Sequence, residues 1–187
     1  MPAELTAAEL DCAGLLHAKR NIQISRFAIF VYALGQIYCG AGDATMISSG
    51  AVLRCGAIVY AGVCLGENTL VGHHLTIERA TRIGHHVRCS PGSHITSSTQ
   101  IADRVFLGAG IRTINDKTLI WRDPNRTPTL APPRFDTGVK VGSGSTVLAG
   151  VTIGAHALIG AASLVTHDIP AGALAYGHPA RVHGQAQ

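Results

Sequence analysis

The chain has 187 residues, enough for one domain with a buried interior and too few for two ordinary ones. Only 14% of the residues are charged while 22 are glycine, so the solvated face must be thin, which favours a repeat architecture or an oligomer. The formal charge of +4 comes from 12 arginines and 3 lysines scattered singly apart from Lys19-Arg20, a distribution without the basic stripe that nucleic-acid binding needs.

In chain order, residues 1–24 are expected to form a short helical cap. Thr6-Ala-Ala-Glu9 fits a capping box, and Leu5, Ala8, Cys12, Leu15, Leu16 and Lys19 follow helical spacing. Glu4, Glu9 and Asp11 stand where a secretory leader would be basic and then apolar. Residues 25–50 keep a six-residue phase loosely through Ile29, Ala41 and Ile47, so an irregular first coil is expected there. The apolar run from Phe27 to Leu34 ends at Gly35, far short of the ~20 residues that cross a bilayer, and no membrane association is expected. Cys12, Cys39, Cys55, Cys64 and Cys89 are odd in number and include no Cys-x-x-Cys, which points to reduced thiols in a cytoplasmic protein.

From residue 51 a fixed period takes over. Leu53, Val59, Leu65, Val71, Ile77, Ile83, Cys89, Ile95, Ile101 and Leu107 are spaced by six, then Thr113, and the phase restarts as Val141, Val147, Ile153, Ile159 and Val165. A glycine often follows the apolar residue, as at Gly66, Gly84, Gly108 and Gly142, where a sharp turn is expected. Four positions after the apolar residue comes a small or β-branched one, as Thr69, Val87, Val105 and Val151, expected to point inward. Each hexapeptide thus reads as a short strand and a turn, with three making one triangular coil and coils stacking at ~4.8 Å. The coils are expected over residues 51–113 and 139–170. Residues 114–138, with Pro124, Pro128, Pro132 and Pro133, read as a surface excursion, and 171–187 as a C-terminal tail.

Eighteen residues per coil would put equivalent positions on one corner. Glu67-Asn68, His85-His86 and Asp103-Arg104 should share a corner, continuing as Ser143-Gly144 and Ala161-Ala162 if the coil resumes in register. Arg79, Ser97 and Asn115 should stack beneath the excursion, and the third corner should carry His73-His74, Pro91-Gly92 and Ala149-Gly150.

These residues resemble the left-handed β-helix hexapeptide acyltransferases. The resemblance runs from about Ala51 to Val182 and is closest in Val141-Gly-Ser-Gly-Ser-Thr-Val147, Leu158-Ile-Gly-Ala-Ala-Ser-Leu-Val-Thr-His-Asp-Ile-Pro170 and Gly177-His-Pro-Ala-Arg-Val182. It implies an all-β, left-handed parallel β-helix, acetyl-CoA as co-substrate without a metal, and a homotrimer with sites between subunits. The positions matching the family's thioester groove are Ser143, Ala161, Thr166, His167 and Arg181, with His167 replacing a lysine frequent there. The run from Val105 to Lys117 looks like the subgroup that acetylates amino groups of nucleotide-linked amino sugars, and the excursion contains no histidine. On that resemblance Asn115 would orient the amine or the carbonyl, and Asp116 would accept hydrogen bonds from the ammonium or take the proton, since a neutral amine needs orientation and a proton sink more than a strong base. Trp121 and Arg122 would stack on a nucleotide base or pack against a neighbouring subunit.

The alternative is O-acetylation of a sugar or antibiotic hydroxyl, which needs a histidine base; His85 or His86 is the expected one. A zinc-dependent carbonic anhydrase on the same coil needs three converging histidines, whereas the chain offers the pair His178 and His183 in its tail. A catalytically silent structural coil is the remaining class, against which the long excursion argues.

Overall fold

The computed structural model describes residues 46–60, 62–120, 123 and 125–187, together with the strands Gln23–Ile24 and Ile29–Val31. The helical cap, apart from Gln23–Ile24, lies outside the described residues, as do Trp121 and Arg122. No helix occurs among the described residues, and none is long and apolar enough to cross a membrane.

Short strands form three parallel faces of nine, seven and six strands, so the chain is an all-β parallel solenoid. Sequence-neighbouring strands fall on different faces, while strands eighteen residues apart pair, as Arg88 with Leu70 and His94 with Thr76. The nine-stranded sheet runs through Leu70–Val71, Arg88–Cys89, Phe106–Leu107, Lys140–Val141 and Leu158–Ile159. The seven-stranded sheet carries Thr76–Ile77, His94–Ile95, Arg112–Thr113, Thr146–Val147 and Leu164–Val165. The six-stranded sheet carries Arg82–Ile83, Gln100–Ile101, Arg134–Phe135 and Thr152–Ile153.

The six-residue phase is the core. Leu53 through Leu107, Val141 through Val165, and the residues four positions on, such as Thr69, Val87 and Val139, are buried. Buried hydroxyls at these second positions accept no penalty, because each bonds to a turn carbonyl: Thr69 donates to Gly84 at 2.8 Å and Ser145 to Gly142 at 2.8 Å. No buried side-chain polar atom among the described residues lacks a partner.

The glycines after the apolar residue are needed for a different reason from the expected turn. A Cβ on Gly142 would lie 2.4 Å from the Ala161 amide nitrogen, so it is the approach of the next layer that excludes a side chain. The left-handed backbone falls two residues later, at Gly144 (φ 74°) and equally at Ala162 (φ 55°), where the strain is accepted.

Two segments differ from expectation. Gln100 pairs with Arg82 on one side and Arg134 on the other, so the coil holding the excursion has 34 residues where its neighbours have 18. The excursion is therefore one hexapeptide shorter than 114–138. Arg134–Phe135 is already a rung, with Phe135 buried in the phase of Val141. The stretch 171–187 is no loose tail: Ala173–Gly177 pairs parallel with Leu158–Ile159 and turns back antiparallel as Ala180–Gln185.

Candidate active site

Because Arg134–Phe135 adds a rung within 114–138, every corner beyond the excursion stands one edge on from its expected place. Asp103-Arg104 continues as Thr137-Gly138 and Ala155-His156, shown by Gly138 N–H to Asp103 O at 2.9 Å and His156 N–H to Thr137 O at 2.9 Å. Ser143-Gly144 and Ala161-Ala162 instead stand on the corner of His73-His74 and Pro91-Gly92, through Ala109-Gly110. Ala149-Gly150 moves to the corner of Ser97 and Asn115, below His167. Ser143 and Ala161 nevertheless share one edge, since Ala162 N–H donates to Ser143 O at 2.8 Å.

The corrected edges bound one face. The seven-stranded sheet lies between the edge of Ala109, Ser143 and Ala161 and the edge of Ser97, Asn115 and His167. The first edge is built of small exposed residues whose backbone lies bare, which suits an extended chain exchanging amide hydrogen bonds. Ser143 Oγ accepts from Ala109 N–H at 3.1 Å, leaving its own proton to point outward. Above this edge the C-terminal hairpin is tied down by Gly177 N–H to Ser163 Oγ at 3.2 Å, and Arg181 follows its turn, exposed. Thr166 and His167 close the same face from the other side, with Thr166 Oγ1 2.8 Å from His167 Nδ1.

On the second edge Asn115 Nδ2 donates to Ser97 Oγ at 2.7 Å and to Ser97 O at 3.2 Å. Both amide protons are engaged, so what Asn115 can offer a ligand is the Oδ1 acceptor. Asp116 is held by its own turn through one of its two oxygens. Its Oδ1 accepts from the Thr118 hydroxyl and amide, each at 2.7 Å, and from Leu119 N–H at 3.1 Å. The Thr118 hydroxyl bond first, then these amides, hold its carboxyl below the ordinary carboxylate range. It is the turn that launches the excursion.

His85 and His86 stand on the third edge, opposite this face. His85 Nδ1 accepts from Glu67 N–H at 3.1 Å, which fixes the neutral ring with its proton on Nε2 and makes that nitrogen a donor. It is therefore not available as the base that hydroxyl chemistry would ask of it within one chain.

A histidine that the sequence did not single out sits on the face itself. His94 projects outward, half exposed, and its Nε2 lies 2.8 Å from Glu78 Oε1, within hydrogen-bond distance. Glu78 Oε2 accepts from Ser97 N–H at 2.9 Å, so one carboxylate fixes both His94 and the residue on which Asn115 rests. With Nε2 as donor, the neutral ring presents Nδ1 as a proton acceptor. Among the described residues no group of three His, Cys, Asp and Glu is placed to hold a metal ion, and His183 stacks on Tyr176 at 3.7 Å.

No protein-family model matches the chain. The bifunctional protein GlmU of Heliobacterium modesticaldum is 36% identical over 119 residues, covering 64% of this chain and 24% of that protein. A dTDP-3-amino-3,6-dideoxy-alpha-D-galactopyranose 3-N-acetyltransferase of Aneurinibacillus thermoaerophilus is 53% identical over 47 residues, 25% of this chain and 24% of that enzyme. The chain thus spans about a quarter of the length of these curated relatives. Among solved structures, a hexapeptide-repeat acetyltransferase of Vibrio cholerae complexed with acetyl-CoA superposes with a TM-score of 0.60 at 26% identity, covering 67% of this chain and 72% of that one. A variant of AntD, an N-acyltransferase of Bacillus cereus in complex with dTDP and coenzyme A, gives a TM-score of 0.61 at 18% identity over 100% of this chain and 92% of that one. The three faces, the six-residue core phase and these likenesses agree: the chain has the hexapeptide-repeat acetyltransferase fold.

Proposed function

We propose that the protein transfers the acetyl group of acetyl-CoA to the primary amine of a nucleotide-linked amino sugar. The observation that carries this reading is the shared face: a bare edge suited to the pantetheine arm, faced by Asn115 and the Glu78-oriented His94. Ser143 and Ala161 would flank the arm, Arg181 would meet a phosphate, and Thr166 with His167 would close the far side.

The amine nitrogen attacks the thioester carbonyl, a C–N bond forms, the C–S bond breaks, and coenzyme A leaves as thiolate. Asn115 Oδ1 accepts a hydrogen bond from the attacking nitrogen and aims its lone pair. The proton lost from that nitrogen passes to His94 Nδ1 and on to the thiolate. Glu78 keeps the imidazole in the tautomer that can receive it.

The same dyad favours one second reading, O-acetylation, because a hydroxyl must lose its proton as it attacks. The amine is preferred because two relatives are named N-acetyltransferases, one acting on a dTDP-linked amino sugar and one on tetrahydropyridine dicarboxylate. A homotrimer is part of the same reading, with Phe106, 40% exposed between Arg88 and Lys140 on the nine-stranded sheet, as an apolar contact for a neighbouring copy. A cytoplasmic setting is supported by Cys55, Cys64 and Cys89 being free thiols.

The test is thiol release from acetyl-CoA over a panel of nucleotide-linked amino sugars, matched with their hydroxyl counterparts. Release with amino sugars and not with hydroxyl sugars is expected. Release with hydroxyl sugars alone would replace the reading by the second one, and no release with either would end it.

A further inference from the structure

The carboxylates of this chain are largely occupied by its own backbone. Glu78, Asp103, Asp116, Asp123 and Asp168 each accept from backbone amides at 2.7–3.1 Å. They are turn caps, and among the described residues none of them is paired with an arginine or a lysine. On the six-stranded sheet this has a local consequence. Arg82 and Arg134 flank Gln100 on adjacent strands, all three exposed and pointing outward. Among the described residues neither guanidinium has a hydrogen-bond or ion-pair partner. Between them lies a depression of about 120 Å³, closed at one side by Ala102 and Asp136.

The position of this depression ties it to the face described above. Gln100 comes one hexapeptide after His94, just around the edge of Ser97 and Asn115. Arg134 opens the strand by which the excursion re-enters the coil. The depression thus lies around one edge from Asn115 and His94, beside the point where the excursion re-enters the coil. One strand separates Arg82 from Arg134, so two strand spacings, about 10 Å, lie between their backbones, and both side chains are long enough to converge on one anion.

We propose that Arg82, Gln100 and Arg134 bind the diphosphate of the nucleotide-linked acceptor, an inference that rests on the acceptor class proposed above. The two guanidinium forks each meet phosphoryl oxygens in pairs, the Gln100 amide donates between them, and Asp136 accepts from a ribose or sugar hydroxyl. Arg82, Gln100 and Arg134 stand on a different sheet from His94, so the acceptor's charge is met on a separate face from its amine. Recognition of the leaving coenzyme and of the acceptor are then physically apart.

The experiment is calorimetric titration of the full chain with a nucleoside diphosphate alone, dTDP and then UDP, and separately with acetyl-CoA. Arg82→Gln and Arg134→Gln should each weaken nucleoside diphosphate binding about tenfold or more, and Arg82→Lys, which keeps the charge and removes the fork, should fall between. Acetyl-CoA affinity should stay within about twofold. Nucleoside diphosphate binding that is absent, or equal in all variants, overturns the proposal. Weakened acetyl-CoA binding in its place would assign these arginines to the coenzyme phosphates. Loss of subunit assembly with nucleotide affinity intact would make the face a contact between copies of the chain. Binding that depends on both arginines in a protein that acetylates no amino sugar would support this site while removing the transfer reaction, so the two failures are distinguishable.

Discussion

Glu78→Gln tests the site at its most connected point. In the wild type Glu78 accepts from Ser97 N–H through one oxygen and from His94 Nε2 through the other, at 2.9 and 2.8 Å. Glutamine keeps the first contact through its amide oxygen. Its NH₂ then faces His94, so Nε2 must become an acceptor and the ring proton must move to Nδ1, the nitrogen that was to receive the amine's proton. Volume and packing are unchanged, and the pair is a surface one, with the Glu78 and His94 side chains 32% and 50% exposed, so the stability cost should stay under ~1 kcal/mol. Loss of a positioned base is worth about 10²-fold at the lower end for general acid–base catalysis, or ~2.7 kcal/mol of barrier. We expect kcat/KM for thiol release to fall by about that factor while the urea midpoint barely moves. His94→Gln should cost the same, and the double variant no more than either single one, because the two act as a unit. A Glu78→Gln enzyme within about twofold of wild type would refute the tautomer argument, as would an additive double variant.

Asn115→Ala removes the acceptor Oδ1 and both bonds to Ser97, so turnover in the same assay should drop with the sedimentation behaviour unchanged; unaltered turnover would remove Asn115 from the reaction. Phe135→Ala opens a cavity in the rung that restarts the coil and should cost about 3–5 kcal/mol in urea unfolding, and a cost below ~1 kcal/mol would mean the rung is not packed as described. Burial pushes the Cys89 thiol up to about 12, so it stays a neutral thiol where a free cysteine would begin to ionise near pH 9. Native protein treated with a thiol reagent at pH 8 should keep Cys89 unmodified until denaturant is added, and labelling in the folded state would contradict its place in the core.

The solenoid was legible because its core demands the same inward residue every sixth position, and Leu53 through Leu107 supply it without a gap. The length of the excursion was not, for a local reason. Pro132 and Pro133 read as loop, yet Phe135 stands six positions before Val141 and Val139 four after Phe135, so the rung was written in the phase of the coil that follows. Overlooking it rotated Ser143 and Ala161 onto the wrong edge while leaving them correctly aligned with each other. His94 is not legible in the same way as the paired corner histidines, because it is an outward strand residue. Its signal was its partner: Glu78 lies sixteen positions earlier, nearly one layer, and no pattern within a single hexapeptide reveals a contact between layers. Asp116 shows what the sequence hid in another way: one of its carboxylate oxygens is engaged by the hydroxyl and amides of its own turn.

The way the excursion is spliced into the coil has a wider meaning. Ala131 N–H bonds to Asn115 O and Gly150 N–H to Ala131 O, each at 2.6 Å, so the two ends of the inserted stretch meet across a single corner while the rungs on either side keep their register. An insert anchored in this manner is invisible to the interior: lengthening, shortening or exchanging it alters no packed side chain. The segment can therefore change in length and sequence over evolutionary time, or be replaced by an engineer, while the rungs on either side stay as they are.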